Sequence, residues 1–119
     1  LAPDRFARDE IGAARNLRGR PDAHGRRIWE DELGAVMSAF DRVLAPRGRA
    51  VLLIADSATG STALWADEIV ARLAEKRALT VLARASQERP HFHRDTQSAF
   101  RAKPRREHAI LVGRRSTAR

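Results

Sequence analysis

Residues 50–55 (AVLLIA) form one continuous apolar run, and this run restricts the possible folds more than any other feature of the chain. It has the length of a strand and does not alternate with polar residues, which is typical of a strand buried on both faces. No apolar run approaches the ~20 residues that a membrane-spanning helix needs. The sequence therefore predicts a sheet covered by helices and excludes an integral membrane protein with helical spans.

Amphipathic helices flank this strand in the sequence. Apolar residues recur at three- and four-residue steps over 26–44 and again over 64–77, and acidic residues lie early in each helix. A short loop over 58–61 precedes the second helix, for which Ser61 or Thr62 is a candidate N-cap.

Two further strands follow. Residues 79–85 (LTVLARA) and 108–113 (HAILVG) are apolar runs of strand length. The loop over 86–106 between them is long for a compact domain, and such loops are usually functional or partly disordered. Because no helix separates these two strands, we expect them to pair antiparallel.

The resulting architecture is an incomplete α/β fold. Helix, strand, helix, strand and antiparallel strand make up half of a doubly wound sheet, and three strands with two or three helices would leave a wide apolar face uncovered. We therefore expect the partner strands to be missing from this chain or to come from another one. A weak helix over 4–17 and a loop over 18–25 precede the α/β core (26–115), and a disordered tail over 116–119 follows it.

The charge of the chain permits two interpretations. Lys and Arg number 23 against 15 Asp and Glu, a formal charge of +8, and only Lys76 and Lys103 are lysine. Such an arginine bias can arise from the codon usage of a GC-rich genome, but it also suits a protein that neutralises the phosphates of DNA or RNA. With 43% hydrophobic residues, the composition suits a soluble globular domain, and the absence of cysteine excludes thiol chemistry. We expect the protein to be cytoplasmic.

Several segments resemble one enzyme superfamily. Residues 44–57 (LAPRGRAVLLIADS) resemble the block of Rossmann-like S-adenosylmethionine-dependent methyltransferases in which a helix ends at a Pro-x-Gly turn before the fifth strand, although Arg47 stands where glycine is usual. Residues 6–15 (FARDEIGAAR), 85–90 (ASQERP) and 104–114 (PRREHAILVGR) look like the C-terminal half of the bacterial DNA amino-methylases, which also resemble tRNA guanosine amino-methyltransferases.

The resemblance implies a partial Rossmann-like methyltransferase sheet that lacks its N-terminal strands. In such enzymes a helix, a sixth strand and an antiparallel seventh strand follow the fifth. The family's glycine-rich cofactor turn and its Pro-Pro-aromatic loop are both absent from this sequence. The resemblance therefore implies that 1–119 is the C-terminal portion of one methyltransferase domain. Catalytic and cofactor-binding residues are expected upstream of Leu1, and the segment alone should neither bind S-adenosylmethionine well nor catalyse methylation.

Candidate substrate contacts follow the first two strands of the predicted core. Asp56 and Ser57 come after the first strand, at the edge where open α/β sheets bind ligands, or they cap the next turn. Ser86, Gln87 and Arg89 follow the second strand, where Gln can read a base edge and Arg can hold a phosphate, or they belong to an ordinary polar loop.

Other polar and aromatic residues give weaker signals. Phe92 and Phe100 lie among basic residues and either stack on bases or pack the loop onto the core, with packing favoured. His91 and His93 have no third ligand nearby, so no metal site is predicted. His108 opens a strand and is interpreted as structural, and no Ser-His-Asp arrangement is legible in the sequence.

Three functions remain open on the sequence. The first is the C-terminal part of a methyltransferase acting on an amino group of a DNA or RNA base. The second is a small basic nucleic-acid-binding module without catalysis, which would bind with a steep salt dependence. The third is part of a small-molecule methyltransferase, since this scaffold supports many chemistries.

Overall fold

The computed structural model describes residues 22–90 and 94–116. The helix predicted over 4–17 lies outside the described residues, as does most of the predicted tail. In chain order the described elements are α1 (Asp22–Val43), β1 (Arg49–Ala55), β2 (Ser57–Thr59), β3 (Thr62–Leu64), α2 (Ala66–Glu75), β4 (Leu79–Glu88), a 3-10 helix (Arg94–Phe100) and β5 (Arg106–Arg114).

The main sheet has three strands in the order β1-β5-β4. The central strand, β5, pairs antiparallel with both neighbours, which confirms the antiparallel pairing predicted for the last two strands. Because both outer strands oppose β5, β1 and β4 run in the same direction. The fold is thus mixed α/β, but among the described residues no two neighbouring strands are parallel, as they would be in the body of a doubly wound sheet.

Both α-helices cover the same face of this sheet. Their apolar residues, spaced by three or four, form one core with the side chains of β1, β4 and β5 that point to that face. An ion pair joins the helices, because Glu30 accepts from Arg72 at 2.7 Å and from Arg26 at 2.6 Å. The fully buried members of the core include Trp29, Leu33, Met37, Val70, Leu79, Ile110 and Val112.

The opposite face of the sheet, which we call the outer face, is uncovered. Val51 and Leu53 are 64% and 77% exposed, whereas Leu52 and Ile54 pack against the core. The prediction that β1 is buried on both faces is therefore wrong for the described structure, because α1 and α2 lie on one side only. The prediction that an apolar sheet face stays uncovered is confirmed.

A β-hairpin replaces the loop predicted before the second helix. β2 and β3 pair antiparallel, with Thr59 opposite Thr62. Gly60 has a φ of 62°, and two-residue hairpin turns of the primed types need a positive φ at this first central position. The predicted N-cap is also wrong, because α2 begins at Ala66 and the preceding Trp65 makes no side-chain cap.

The first helix begins earlier than the sequence indicates. Residues 22–25, predicted as the end of a loop, form the first turn of α1. Gly25 is buried there, and a Cβ atom at this position would lie 2.7 Å from Oγ1 of Thr59. Glycine is therefore tolerated inside the helix because the helix approaches β2 closely.

Both of the last two strands are longer than predicted. β4 includes residues 86–88, which were expected in the long loop, and it contains a register shift between Val81 and Ala83. Within the described part of that loop, Phe100 packs edge-on against Trp65 with ring centroids 5.7 Å apart. This contact agrees with the packing interpretation of Phe100, whereas Phe92 lies outside the described residues. No described helix is both long and apolar enough to cross a bilayer.

Candidate functional site

Four of the five predicted substrate contacts lie at one end of the main sheet. β1 and β4 run in the same direction, so both end beside the start of β5. Asp56 follows β1 at this end of the sheet, and Ser86 and Gln87 lie near the end of β4. Arg89 follows β4 directly. The fifth, Ser57, opens β2 and pairs with Leu64.

Asp56 is buried among protein groups. The residue is 1% exposed, and its Oδ1 accepts the amide N–H of Ala66 at 2.9 Å, the first residue of α2. Its Oδ2 accepts the amide N–H of Arg106 at 3.0 Å. These bonds explain why α2 needs no side-chain cap from its preceding residue. A substrate would have to displace one of them, so a substrate contact by Asp56 stays a prediction.

His108 connects Asp56 to the open side of the site. Its Nε2 lies 2.9 Å from Oδ1 of Asp56, and its Nδ1 lies 2.7 Å from Oγ of Ser86 on the neighbouring strand. The His108 and Asp56 side chains have no exposed surface. The fold therefore assembles a Ser-His-Asp row that the sequence did not reveal, with serine on Nδ1 and the acid on Nε2.

The tautomer of His108 decides what this row can do. With the proton on Nε2, the ring donates to Asp56 and accepts the hydroxyl proton of Ser86, which is how a nucleophile, a base and an orienting acid are arranged. With the proton on Nδ1, the ring donates to Ser86 and its Nε2 lone pair faces the Asp56 carboxylate. The second arrangement is favourable only when a cation lies between them.

Asp67 is the second buried carboxylate at this end. Its Oδ2 accepts from Arg84 and, at 3.2 Å, from Arg106. Its Oδ1 has no hydrogen-bond partner among the described residues and lies 3.9 Å from Nε2 of His108. The sequence had suggested only that this aspartate complements the helix dipole.

A depression of about 440 Å³ opens beside this buried row. Ala55, Ala85 and Ala109 are part of its lining, together with the polar side chains of Gln87 and Glu107. Ala85 and Ala109 are cross-strand partners, and Ala109 is opposite Leu53 on its other side, whereas Ala55 is opposite Glu107.

The rim of this depression is polar and charged. Arg89 Nε donates to Oε1 of Glu107 at 2.8 Å, and both side chains are 40% or more exposed. This hydrogen bond, with a further one from Gln87, holds the pKa of Glu107 below its ordinary value. Two predicted residues, Gln87 and Arg89, are thereby brought together with a glutamate that the sequence reasoning missed.

A single sequence signal could have found His108. In 106–114, Ile110 and Val112 have the parity of buried strand residues, and His108 has the same parity. A histidine on the apolar face of a strand needs a buried partner. Asp67 gives no such signal, because an acidic residue in the first turn of a helix is common. His91 and His93 lie outside the described residues.

No protein-family model matches the chain, and neither a curated protein nor a solved structure matches it.

Proposed function

We propose that this chain is the C-terminal portion of an S-adenosylmethionine-dependent methyltransferase that modifies an amino group of a DNA or RNA base in the cytoplasm. The chain completes the sheet and supplies contacts to the substrate, and an N-terminal portion binds the methyl donor and carries the chemistry. The proposal rests on the resemblance of 44–57, 85–90 and 104–114 to such enzymes, together with the three features that follow.

The observation that carries the proposal is the uncovered side of the sheet. Val51 and Leu53 on β1, with Leu82 on β4, are large apolar side chains at 64%, 77% and 42% exposure. β1 is also an edge strand, so among the described residues its outer backbone groups have no neighbouring strand. An apolar surface beside an open edge marks an interaction site. Further helices of the same domain would cover the surface, and further strands would pair with the edge of β1.

The order of the described elements gives a second support. Apart from the added β2-β3 hairpin and the 3-10 helix, the elements follow the order expected from the resemblance: a helix, a strand, a helix, a strand and an antiparallel strand. The connection through α2 joins two strands that run in the same direction, which is the local arrangement of a βαβ unit, with β5 inserted between them.

The depression gives a third support, on the side of the substrate. Its small side chains, Ala85 and Ala109 among them, leave room for a flat ring, and Gln87 and Glu107 offer hydrogen-bond donors and acceptors in its lining. Arg89 stands beside them with half of its side chain exposed and can hold a phosphate. In this proposal Gln87 contacts the base and Arg89 contacts the backbone.

The test is reconstitution of the methyltransferase from two parts. The chain is coexpressed with the segment encoded upstream of Leu1, and transfer of a radiolabelled methyl group to DNA and to tRNA is measured. We expect labelling only from the two-part assembly, and no S-adenosylmethionine binding by this chain alone in calorimetry. Leu53→Glu should prevent assembly, whereas Val43→Glu, equally exposed at the end of α1, should not.

Other results would replace the proposal. Binding of S-adenosylmethionine by this chain alone would contradict it. Salt-dependent nucleic-acid binding by a folded chain that never assembles with the upstream segment would favour a non-catalytic binding module. Methylation of small molecules but neither DNA nor tRNA would favour the small-molecule enzyme.

A further inference from the structure

We propose that Asp56, Asp67 and His108 bind a divalent transition-metal ion, with zinc the best match. Each residue offers one donor atom, and the three donor atoms lie within 4.8 Å of one another. The Nε2 atom of His108 is 2.9 Å from Oδ1 of Asp56 and 3.9 Å from Oδ1 of Asp67. Donors about 2.1 Å from a tetrahedral zinc are separated by about 3.4 Å, which lies between these two distances.

The unpartnered oxygen of Asp67 points to a cation independently of the cluster. The Asp67 side chain is only 3% exposed, so water does not readily reach Oδ1. This oxygen has no hydrogen-bond partner within the part of the chain that the structure describes. Buried acceptors are almost always satisfied, so one without a partner calls for an explanation. An ion bound between Asp67 and His108 would supply the missing interaction.

The surroundings of His108 suit a metal ligand. A ligating histidine normally donates its other ring N–H to a neighbouring acceptor, which fixes the ring. With Nε2 on the ion, Nδ1–H of His108 donates to Oγ of Ser86 at 2.7 Å. The tautomer with the proton on Nδ1 is unfavourable when Nε2 faces the Asp56 carboxylate directly. With an ion on Nε2, this tautomer becomes the favourable one.

The charges and the donor set select the type of ion. Asp56 and Asp67 each offer one anionic oxygen to a divalent ion, and their second oxygens are already oriented by protein N–H groups. Calcium takes six to eight oxygen ligands and magnesium prefers an octahedron rich in water, whereas this buried site has only three donors, one of them imidazole. Zinc accepts three protein ligands and one further group, so zinc fits best.

The ion would join three elements that are distant in sequence. Asp56 follows β1, Asp67 lies in the first turn of α2, and His108 is on β5. Its role in this proposal is to stabilise the sheet end beside the depression, which goes beyond methyl transfer and does not depend on it. Metal binding to the folded state stabilises that state in proportion to the logarithm of ion concentration.

The test uses the chelator-treated 119-residue chain without a histidine tag. Calorimetry with zinc, absorption with cobalt as a spectroscopic substitute, and thermal unfolding are measured. We expect one zinc per chain, a higher unfolding temperature, and loss of binding in Asp67→Asn and His108→Gln. Ser86→Ala, at an exposed position, should weaken zinc binding about 10- to 100-fold through the lost orientation of His108.

A matched control separates this site from the other histidine pair. The double variant His91→Ala/His93→Ala should bind zinc as the parent does. The proposal is overturned if the parent shows no saturable one-to-one binding, if the His91/His93 variant loses it, or if Ser86→Ala binds as tightly as the parent. Circular dichroism of each variant establishes that loss of binding is not loss of folding.

Discussion

The two faces of the main sheet have similar apolar side chains and opposite surroundings. On the covered face, Ile110 and Val112 are 1% and 0% exposed beneath the two helices. On the outer face of the neighbouring strand, Val51 and Leu53 are mostly exposed. The apolar sequence of a strand therefore indicates that both of its faces are suited to burial. Which face is buried within this chain depends on where the helices pack.

Truncating one side chain on each face of the sheet should give the largest difference in the free energy of unfolding. Ile110→Ala removes packed methylene groups and leaves a cavity, so we expect a loss of about 3 kcal/mol in the free energy of unfolding. Leu53→Ala removes a side chain that is 77% exposed and should change it by less than about 0.5 kcal/mol. Urea denaturation measures both, and equal losses would show that the outer face is packed in the isolated chain.

A methyl group added where α1 meets β2 should have the next largest effect. Alanine normally replaces glycine in a helix with a gain of about 1 kcal/mol. At Gly25 the new Cβ would meet Thr59 Oγ1 at 2.7 Å, so we expect Gly25→Ala to destabilise by about 1–2 kcal/mol. In a Thr59→Ala background the cost should fall. Independent, additive effects in thermal unfolding would contradict the contact.

Polar substitution of the outer face should change dye binding more than stability. The double variant Val51→Thr/Leu53→Thr removes the centre of the exposed apolar surface, so the fluorescence of a hydrophobic dye should decrease. Val43→Thr is the matched control, because this side chain is 73% exposed but belongs to the end of α1 and not to a strand of the sheet. An equal decrease in both variants would mean that the outer face is not a continuous apolar surface.

The smallest effect is expected at the rim of the depression. The Arg89 hydrogen bond lowers the pKa of Glu107, so the stability from this pair is present above the ordinary glutamate pKa and lost as pH falls through the lowered one. Arg89→Ala should raise the pKa of Glu107 toward its ordinary value, which carboxyl NMR titration measures. Because both side chains are well exposed, Arg89→Ala should leave thermal stability nearly unchanged. An unchanged pKa would contradict the pairing.

The sequence predicted the elements better than their surroundings. The two helices and the strands β1, β4 and β5 follow from periodicity and apolar runs, because these patterns depend on local geometry. The hairpin from Ser57 to Leu64 was missed, since short strands of small residues look like a loop. The early start of α1 at Gly25 was missed as well, because only the tertiary contact with Thr59 explains a glycine in that turn.

The candidate site was only partly predictable for a related reason. Gln87 and Arg89 were named because polar residues follow a strand, and strand ends are where such sheets bind ligands. The row of Asp56, His108 and Ser86 joins residues as far as 52 positions apart. Its members become neighbours only because β5 pairs in register with both β1 and β4, which no local pattern encodes.

The central position of β5 has a consequence for how the molecule is made. The strand that holds the sheet together is the last described element, and it pairs with β1 across more than fifty residues. Among the described strands, β1 and β4 have no partner in the main sheet until β5 follows them from the ribosome. A nascent chain that stalls before Arg106 would have helices but no three-stranded sheet, and its unpaired strands would be open to aggregation.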